Sequence, residues 1–277
     1  MKLTRKNILL ICFVLSAFLV VACVLKSKKT NSLPKKKLEK THIENDTLKE
    51  IAKTISDSVL EQRLLGKFNP KNDSDFVLVD KAFCNKEIYL QKEAYESFIK
   101  MHKAAKEEGI SLKIISGTRN FYAQKGIWER KWTGKTRLSD GTFASDLKDP
   151  KKRALKILLY SSMPSTSRHH WGTDIDINNL NNSYFKSGKG LKEYNWLVKN
   201  ASKFGFCQVY SDKNSEERTG YEMEKWHWSY LPIAAEYTKK YIELIPYTQI
   251  IGFKGAEYAK DIEAIKKYVA GISHSCQ

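Results

Sequence analysis

The 277-residue chain has room for one good-sized domain with appendages, and its 42% hydrophobic and 12% aromatic content can fill a core. Its net charge of +17 is not a nucleic-acid signal, because Lys2, Arg5 and Lys6 open the chain and residues 26–41 hold seven lysines against Glu39 alone. No nucleic-acid motif is present, and the five cysteines, two of them at Cys12 and Cys23, are too few after residue 23 for a disulfide framework.

Residues 1–22 read as a signal segment. Lys2, Arg5 and Lys6 form its positive region, and Ile8 to Leu25 is an uncharged apolar run. Val20-Val21-Ala22-Cys23 resembles a bacterial lipobox, with Cys23 as the lipidated residue. The other reading is an uncleaved signal anchor. Either reading places the rest of the protein outside the cytoplasm, tethered to the membrane in the cell envelope. Residues 23–75 read as a basic tether and lead-in, with one helical stretch from Leu48 to Leu65. A basic tail beside a membrane suits an anionic surface, though a solvated linker is the plainer reading.

The folded domain is expected from Phe76 to residue 235. From Gln91 to Glu108, Tyr95, Phe98, His102 and Ala105 recur at helical spacing, and Gly109 ends the helix. His102 on that stripe reads as a packed histidine. Leu112 to Ile114 alternates as a strand and runs into Ser116-Gly117-Thr118-Arg119-Asn120, a turn that opens a helix over Phe121–Trp132. Asp149-Pro150 is an N-cap followed by proline at the first helical position. Thr173 to Ile177 alternates, which predicts a strand with Ile175 and Ile177 on the core face and Asp174 and Asp176 on the other. Leu191 to Ala201 is a helix closed by Gly205, Phe206 to Tyr210 a strand with Cys207 as a small core residue, and Lys225 to Ser229 a strand whose His227 opposes Trp226 and Trp228. After Pro232 the chain reads as helical, with Tyr258, Ile262, Ile265 and Val269 marking a C-terminal helical extension over 236–277. Strands and helices mix without regular alternation, which favours an α+β fold with a mostly antiparallel sheet and flanking helices.

The chemistry concentrates in two stretches, Ser167 to Asp176 and Tyr221 to Trp228. Two imidazoles and a carboxylate around a zinc ion leave a fourth position for water, which is the pattern of a catalytic zinc. His227 and Asp176 fall on strand faces that neighbouring strands can turn to one point. Spacing alone leaves His169 and His170 both open as the other imidazole, and Asp174 open as a ligand. Glu224, three residues before His227, is placed to handle the proton of the attacking water.

The chain resembles the zinc-dependent D-alanyl-D-alanine carboxypeptidases of the VanY type, whose fold is shared with the Hedgehog signalling domain. The family pattern Ser-x-His-x-x-Gly-x-x-x-Asp is matched by Ser167, His169, Gly172 and Asp176. Its Glu-x-Trp-His is matched by Glu224, Trp226 and His227, and its Ser-Gly-x-Arg turn with a following Gln by Ser116, Gly117, Arg119 and Gln124. The resemblance implies one Zn2+ per chain on His169, Asp176 and His227, with His170 a neighbour and Glu224 the base. It implies that Arg119 holds the substrate carboxylate or stabilises the oxyanion, and that Gln124, Ser116 and Ser167 add hydrogen bonds; Trp171 is expected to line the cleft, and Trp228 to line it or to sit in the core. The implied reaction removes the terminal D-Ala of peptidoglycan stem peptides. An endopeptidase on the same site and a non-catalytic zinc-containing cell-wall module are the alternatives, and Glu224 argues against the latter. Two positions depart from the family: Asp174 where a small or apolar residue is usual, adding negative charge near the metal, and Ser165 where glycine is frequent.

Overall fold

The structure is a computed structural model that describes residues 49–50 and 53–277. The expected signal segment over 1–22, Cys23 and the tether as far as residue 48 lie outside the described residues. Ile55–Gln277 form one compact unit. It begins earlier than Phe76 because helix α1 (53–64) is not all lead-in: Leu64 and Leu65 at its end are completely buried in the main apolar cluster.

The architecture is α+β. Strands β1 (Phe76–Leu78) and β2 (Tyr89–Gln91) form a small antiparallel pair. Helix α2 (Lys92–Glu107) follows, burying Ala94, Tyr95, Phe98, Met101 and Ala105 along one stripe. His102, at its edge, hydrogen-bonds the Leu112 carbonyl at 3.0 Å. Then come β3 (Ile114–Ser116), α3 (Phe121–Trp132), α4 (Pro150–Ile157) and β4 (Asp174–Ile177). Both helices are capped as their sequences dictate: Asn120 accepts from the Ala123 amide, and Asp149 from the amides of Lys151 and Lys152. Helix α5 (Gly188–Asn200), β5 (Phe206–Cys207), β6 (His227–Tyr230) and α6 (Leu231–Leu244) complete the regular elements.

The central sheet has the order β3-β4-β6-β5 and is antiparallel throughout. One face presents Ile175, Ile177, Trp228 and Tyr230 to an apolar cluster shared with α2 and α5. The other face presents Asp174, Asp176, His227 and Ser229, all of them buried. A polar face this deep must be paired or hold a ligand, since unpaired buried charge is costly.

Two expectations change, and one departure from the family gains a structural setting. Residues 236–277 are not an appended helical extension. Only α6 is a regular helix there. The rest is short turns (Ala256–Tyr258, Ile265–Val269), and their Ile262, Ile265 and Val269 share one core with Leu64 and Trp171. The apolar spacing was helical, but Gly252, Gly255 and Gly271 break the segment into pieces, two of them at positive φ. Cys207 is not a lone core residue: it forms a disulfide with Cys276, across a Cα separation of 5.9 Å and 69 residues of sequence. Cys84 remains a free, buried thiol. Lastly, Ser165 sits at φ 71°, the left-handed region that favours glycine.

Because the bridge closes a loop of 69 residues, Cys207→Ser is expected to cost about 2–4 kcal/mol of unfolding free energy in a urea titration. Thiol labelling of native, unreduced protein should find neither Cys207 nor Cys276 reactive.

Candidate active site

Strand pairing assembles the site. Asp176 of β4 lies directly opposite His227 of β6, and Asp174 opposite Ser229, while Ser116 of β3 flanks Asp176 on its other side. His169 arrives from the single turn Arg168–His170. Between that turn and β4 the chain reverses at Gly172, whose φ is 75° and where a Cβ would fall 2.3 Å from the Phe76 ring. Only glycine meets both demands.

His169, Asp176 and His227 each bring a ligand atom to within 4.8 Å of the others. His169 Nε2 and His227 Nδ1 each lie 3.3 Å from Asp176 Oδ1. That oxygen is buried and has no hydrogen-bond partner. The ring orientations are set from behind. His169 Nδ1 is 2.9 Å from the Gly117 carbonyl, and His227 Nε2 is 2.9 Å from Asp174 Oδ1. Each imidazole therefore donates outward and turns its other nitrogen to the common point. Burial would lower the pKa of His227, yet Asp174, Asp176 and Glu224 together raise it well above its ordinary value. The point demands positive charge. Two nitrogens and an orphaned carboxylate oxygen aimed at it fit a divalent cation.

Glu224 stands beside this set, its Oε2 3.5 Å from His227 Nδ1. Burial raises its pKa, against the opposing pull of His227. It is positioned to exchange protons at the common point.

Asp174, open as a ligand in the sequence, is fully occupied elsewhere. Its Oδ1 accepts from His227 Nε2 at 2.9 Å and Arg168 Nε at 3.1 Å. Its Oδ2 accepts from Thr173 Oγ1 at 2.6 Å and Ser229 Oγ at 2.9 Å. Arg168, only 1% exposed, also donates to Ser229 Oγ and, from α6, to Thr238 Oγ1. Burial would raise the Asp174 pKa, but Arg168 and His227 outweigh it and hold the carboxyl well below its ordinary value. The extra negative charge expected near the metal is thus cancelled by Arg168 and spent on orienting His227. Sequence reasoning missed Arg168, since nothing in the spacing says that a motif arginine turns inward.

A cleft of about 740 Å³ opens over the cluster, and Arg119, Gln124, His169, Asp176, Glu224 and His227 are on its wall. Arg119 is tightly held: Nε donates to Gln124 Oε1 at 3.0 Å, and Nη1 to Ser116 Oγ at 2.6 Å and Asp176 Oδ2 at 3.5 Å. Gln124 in turn donates to the Ser162 carbonyl at 2.8 Å. Ser116 and Gln124 therefore act on Arg119. Trp171, expected in the cleft, is instead fully buried in the core beneath the Arg168 guanidinium, 4.5 Å from its ring centroid. Ser167 is buried, its Oγ unpaired, and off the cleft wall. His170 is buried between the Ser165 amide, 3.1 Å from Nε2, and the Arg119 carbonyl, 2.5 Å from Nδ1, so both nitrogens are used away from the cluster. Tyr210, also missed in the sequence, packs its buried ring 4.6 Å from that of His227 and reaches the cleft.

Alanine at His169, Asp176 or His227 is expected to abolish retention of a divalent metal through gel filtration, read by elemental analysis. His170→Ala should retain it. Asp174→Asn should weaken metal affinity by about 10–100-fold in a chelator competition, as loss of a supporting carboxylate does.

A family model described as VanY, D-alanyl-D-alanine carboxypeptidase, matches residues 87–233. The chain is 30% identical over 174 residues to "Putative carboxypeptidase YodJ" of Bacillus subtilis, covering 61% of this chain and 56% of that protein. An uncharacterized Haemophilus influenzae protein is 32% identical over 82 residues, covering 25% of this chain and 61% of the other. The chain thus spans little more than half the length of these relatives. Among solved structures, the vancomycin-resistance D,D-pentapeptidase VanY of a VanB-type cassette, a mutant in complex with Zn(II), aligns with TM-score 0.45 at 23% identity, over 69% of this chain and 92% of that one. The LD-carboxypeptidase LdcB aligns with TM-score 0.42 at 23% identity, over 73% and 81%. The matched segment is more than half of the 277 residues, and the chain belongs to the VanY D-alanyl-D-alanine carboxypeptidase family.

Proposed function

We propose that this protein is a zinc-dependent D,D-carboxypeptidase of the cell envelope that removes the terminal D-Ala from peptidoglycan stem peptides. The observation that carries the reading is a buried carboxylate, Glu224, beside an orphaned Asp176 oxygen and two inward-turned imidazoles on the wall of an open cleft. A zinc ion on His169, Asp176 and His227, when bound, supplies Lewis acidity to the scissile carbonyl and to water. The protein's own groups handle the protons and the substrate. Glu224 takes a proton from the attacking water at Oε2 and returns it to the leaving amine. Its burial, which raises its pKa, favours such a two-way carrier over an ordinary exposed glutamate. Arg119, fixed 3.5 Å from Asp176, stabilises negative charge on the scissile carbonyl oxygen. Tyr160 and Trp226, with ring centroids 6.4 Å apart on the cleft wall, offer apolar surface to the peptide.

A pure binding module has no use for a base at Glu224. The Cys207–Cys276 bridge suits an oxidising compartment and agrees with the signal-like first 22 residues, whether Cys23 is lipidated or the segment stays as an anchor.

Incubated with a pentapeptide stem ending in D-Ala-D-Ala, the zinc-loaded protein should release one D-Ala by mass spectrometry. Cuts inside the stem or at crosslinks would move the endopeptidase reading ahead. Glu224→Gln should keep its zinc and lose turnover by about a hundredfold or more; normal activity in that variant would sink the mechanism.

A further inference from the structure

The cations of the cleft are not equivalent. Lys156 is paired with Asp140 at 2.6 Å. Arg137 lies over the Phe143 ring at 4.3 Å and donates to the Gly141 carbonyl at 2.6 Å. Arg119 is bound by Gln124, Ser116 and Asp176. Lys131 differs: it is on the cleft wall, forms no ion pair among the described residues, and donates only to the Ser161 hydroxyl. An ammonium has three donors, so two of its own remain for a ligand.

Its position follows from the helix. Gln124, Ile127 and Lys131 fall at i, i+3 and i+7 of α3, one face of the helix, and all three line the cleft. The tips of the outer two converge. Gln124 Nε2 donates to the Ser162 carbonyl, and Lys131 Nζ to the hydroxyl of the adjacent Ser161. The ammonium and the Gln124–Arg119 pair are therefore held by neighbouring residues of one segment of the cleft wall. In a substrate that loses a single C-terminal residue, the free carboxylate lies one residue from the scissile carbonyl. Burial lowers the Lys131 pKa; Glu224 opposes this, while Arg119 and Arg130 add to it. A cation so placed gains from an incoming anion.

We propose that Lys131 is the carboxylate anchor of this cleft, binding the C-terminal carboxylate of the residue to be released while Arg119 faces the scissile carbonyl. The proposal rests on the carboxypeptidase reading and gives to Lys131 one of the two alternative roles that the resemblance left open for Arg119. It also assigns Ser161 a part: its hydroxyl aims the ammonium without neutralising it.

The test is binding of an N-acetylated peptide ending in D-Ala-D-Ala, as free acid and as C-terminal amide, to the zinc-loaded Glu224→Gln protein by calorimetry. With Lys131 present, the free acid should bind at least about tenfold tighter than the amide, the size of one charge-assisted hydrogen bond. Lys131→Met should bring the two within twofold by weakening the acid alone, with the melting temperature unchanged or higher. Lys131→Arg should keep a preference for the acid. Ser161→Ala should also keep it, whereas a merely structural Lys131–Ser161 contact would make Ser161→Ala and Lys131→Met behave alike. An acid preference that survives Lys131→Met, or disappears in Arg119→Lys while Lys131 is intact, overturns the anchor, as does no preference at all. Cleavage by the unmutated protein is scored separately. If it cuts neither peptide the carboxypeptidase reading fails, and a Lys131-dependent acid preference still sustains the anchor.

Discussion

The register of β4 on β6 is the constraint on which the rest depends. In an antiparallel pair the side chains of directly opposed residues share a face at close range. Placing Asp176 against His227 therefore also places Asp174 against Ser229, and turns Ile175 and Trp228 to the opposite face. A slip of one residue would drive the carboxylates into the apolar cluster and the isoleucines into the cleft. The two faces hold one another in register: the apolar side resists any slip because it is packed, the polar side because Asp174 is fully hydrogen-bonded and Asp176 is paired with Arg119.

The polar side is stabilised in an unusual order. Arg168 and Asp174 are both essentially out of water, and such a pair contributes little net stability because desolvation consumes much of the attraction. Its return is geometric. Thr173, Ser229 and Thr238 fill the remaining hydrogen-bonding positions, so the Asp174 carboxylate has one orientation and His227 has one tautomer facing the cluster. Rigid support of this kind keeps ligating atoms near their working geometry without help from the ligand.

Much of this was legible in the sequence. The alternation of Asp174-Ile175-Asp176-Ile177 and of Trp226-His227-Trp228 reveals strand faces, and Asn120 and Asp149 reveal helix starts. The resemblance to the VanY type picked His169 over His170, and in the structure both nitrogens of His170 are engaged away from the cluster. What could not be read depends on partners distant along the chain. Trp171 looks like a cleft residue until α6 brings Tyr237 and Tyr241 against it. Cys207 pairs across 69 residues. The C-terminal apolar spacing is helical, but its burial is decided by contacts with α1 and by the glycines that fold it back. Lys131 is one lysine among many until Ser161 and the cleft distinguish it.

The bridge between Cys207 and Cys276 has a consequence for how the protein is made. Strand β5, which contains Cys207, is paired with β6, the carrier of His227. Synthesis runs from the N-terminus, so β5 and then β6 are complete before Cys276, 69 residues after Cys207, has been made. During that interval the flank of the sheet is held by short strand pairing alone. Final closure waits until Cys276 arrives and meets an oxidant. Maturation of the site's scaffold is thereby tied to delivery of the distal segment, and an interrupted chain would keep its motif residues without the fastening that secures them.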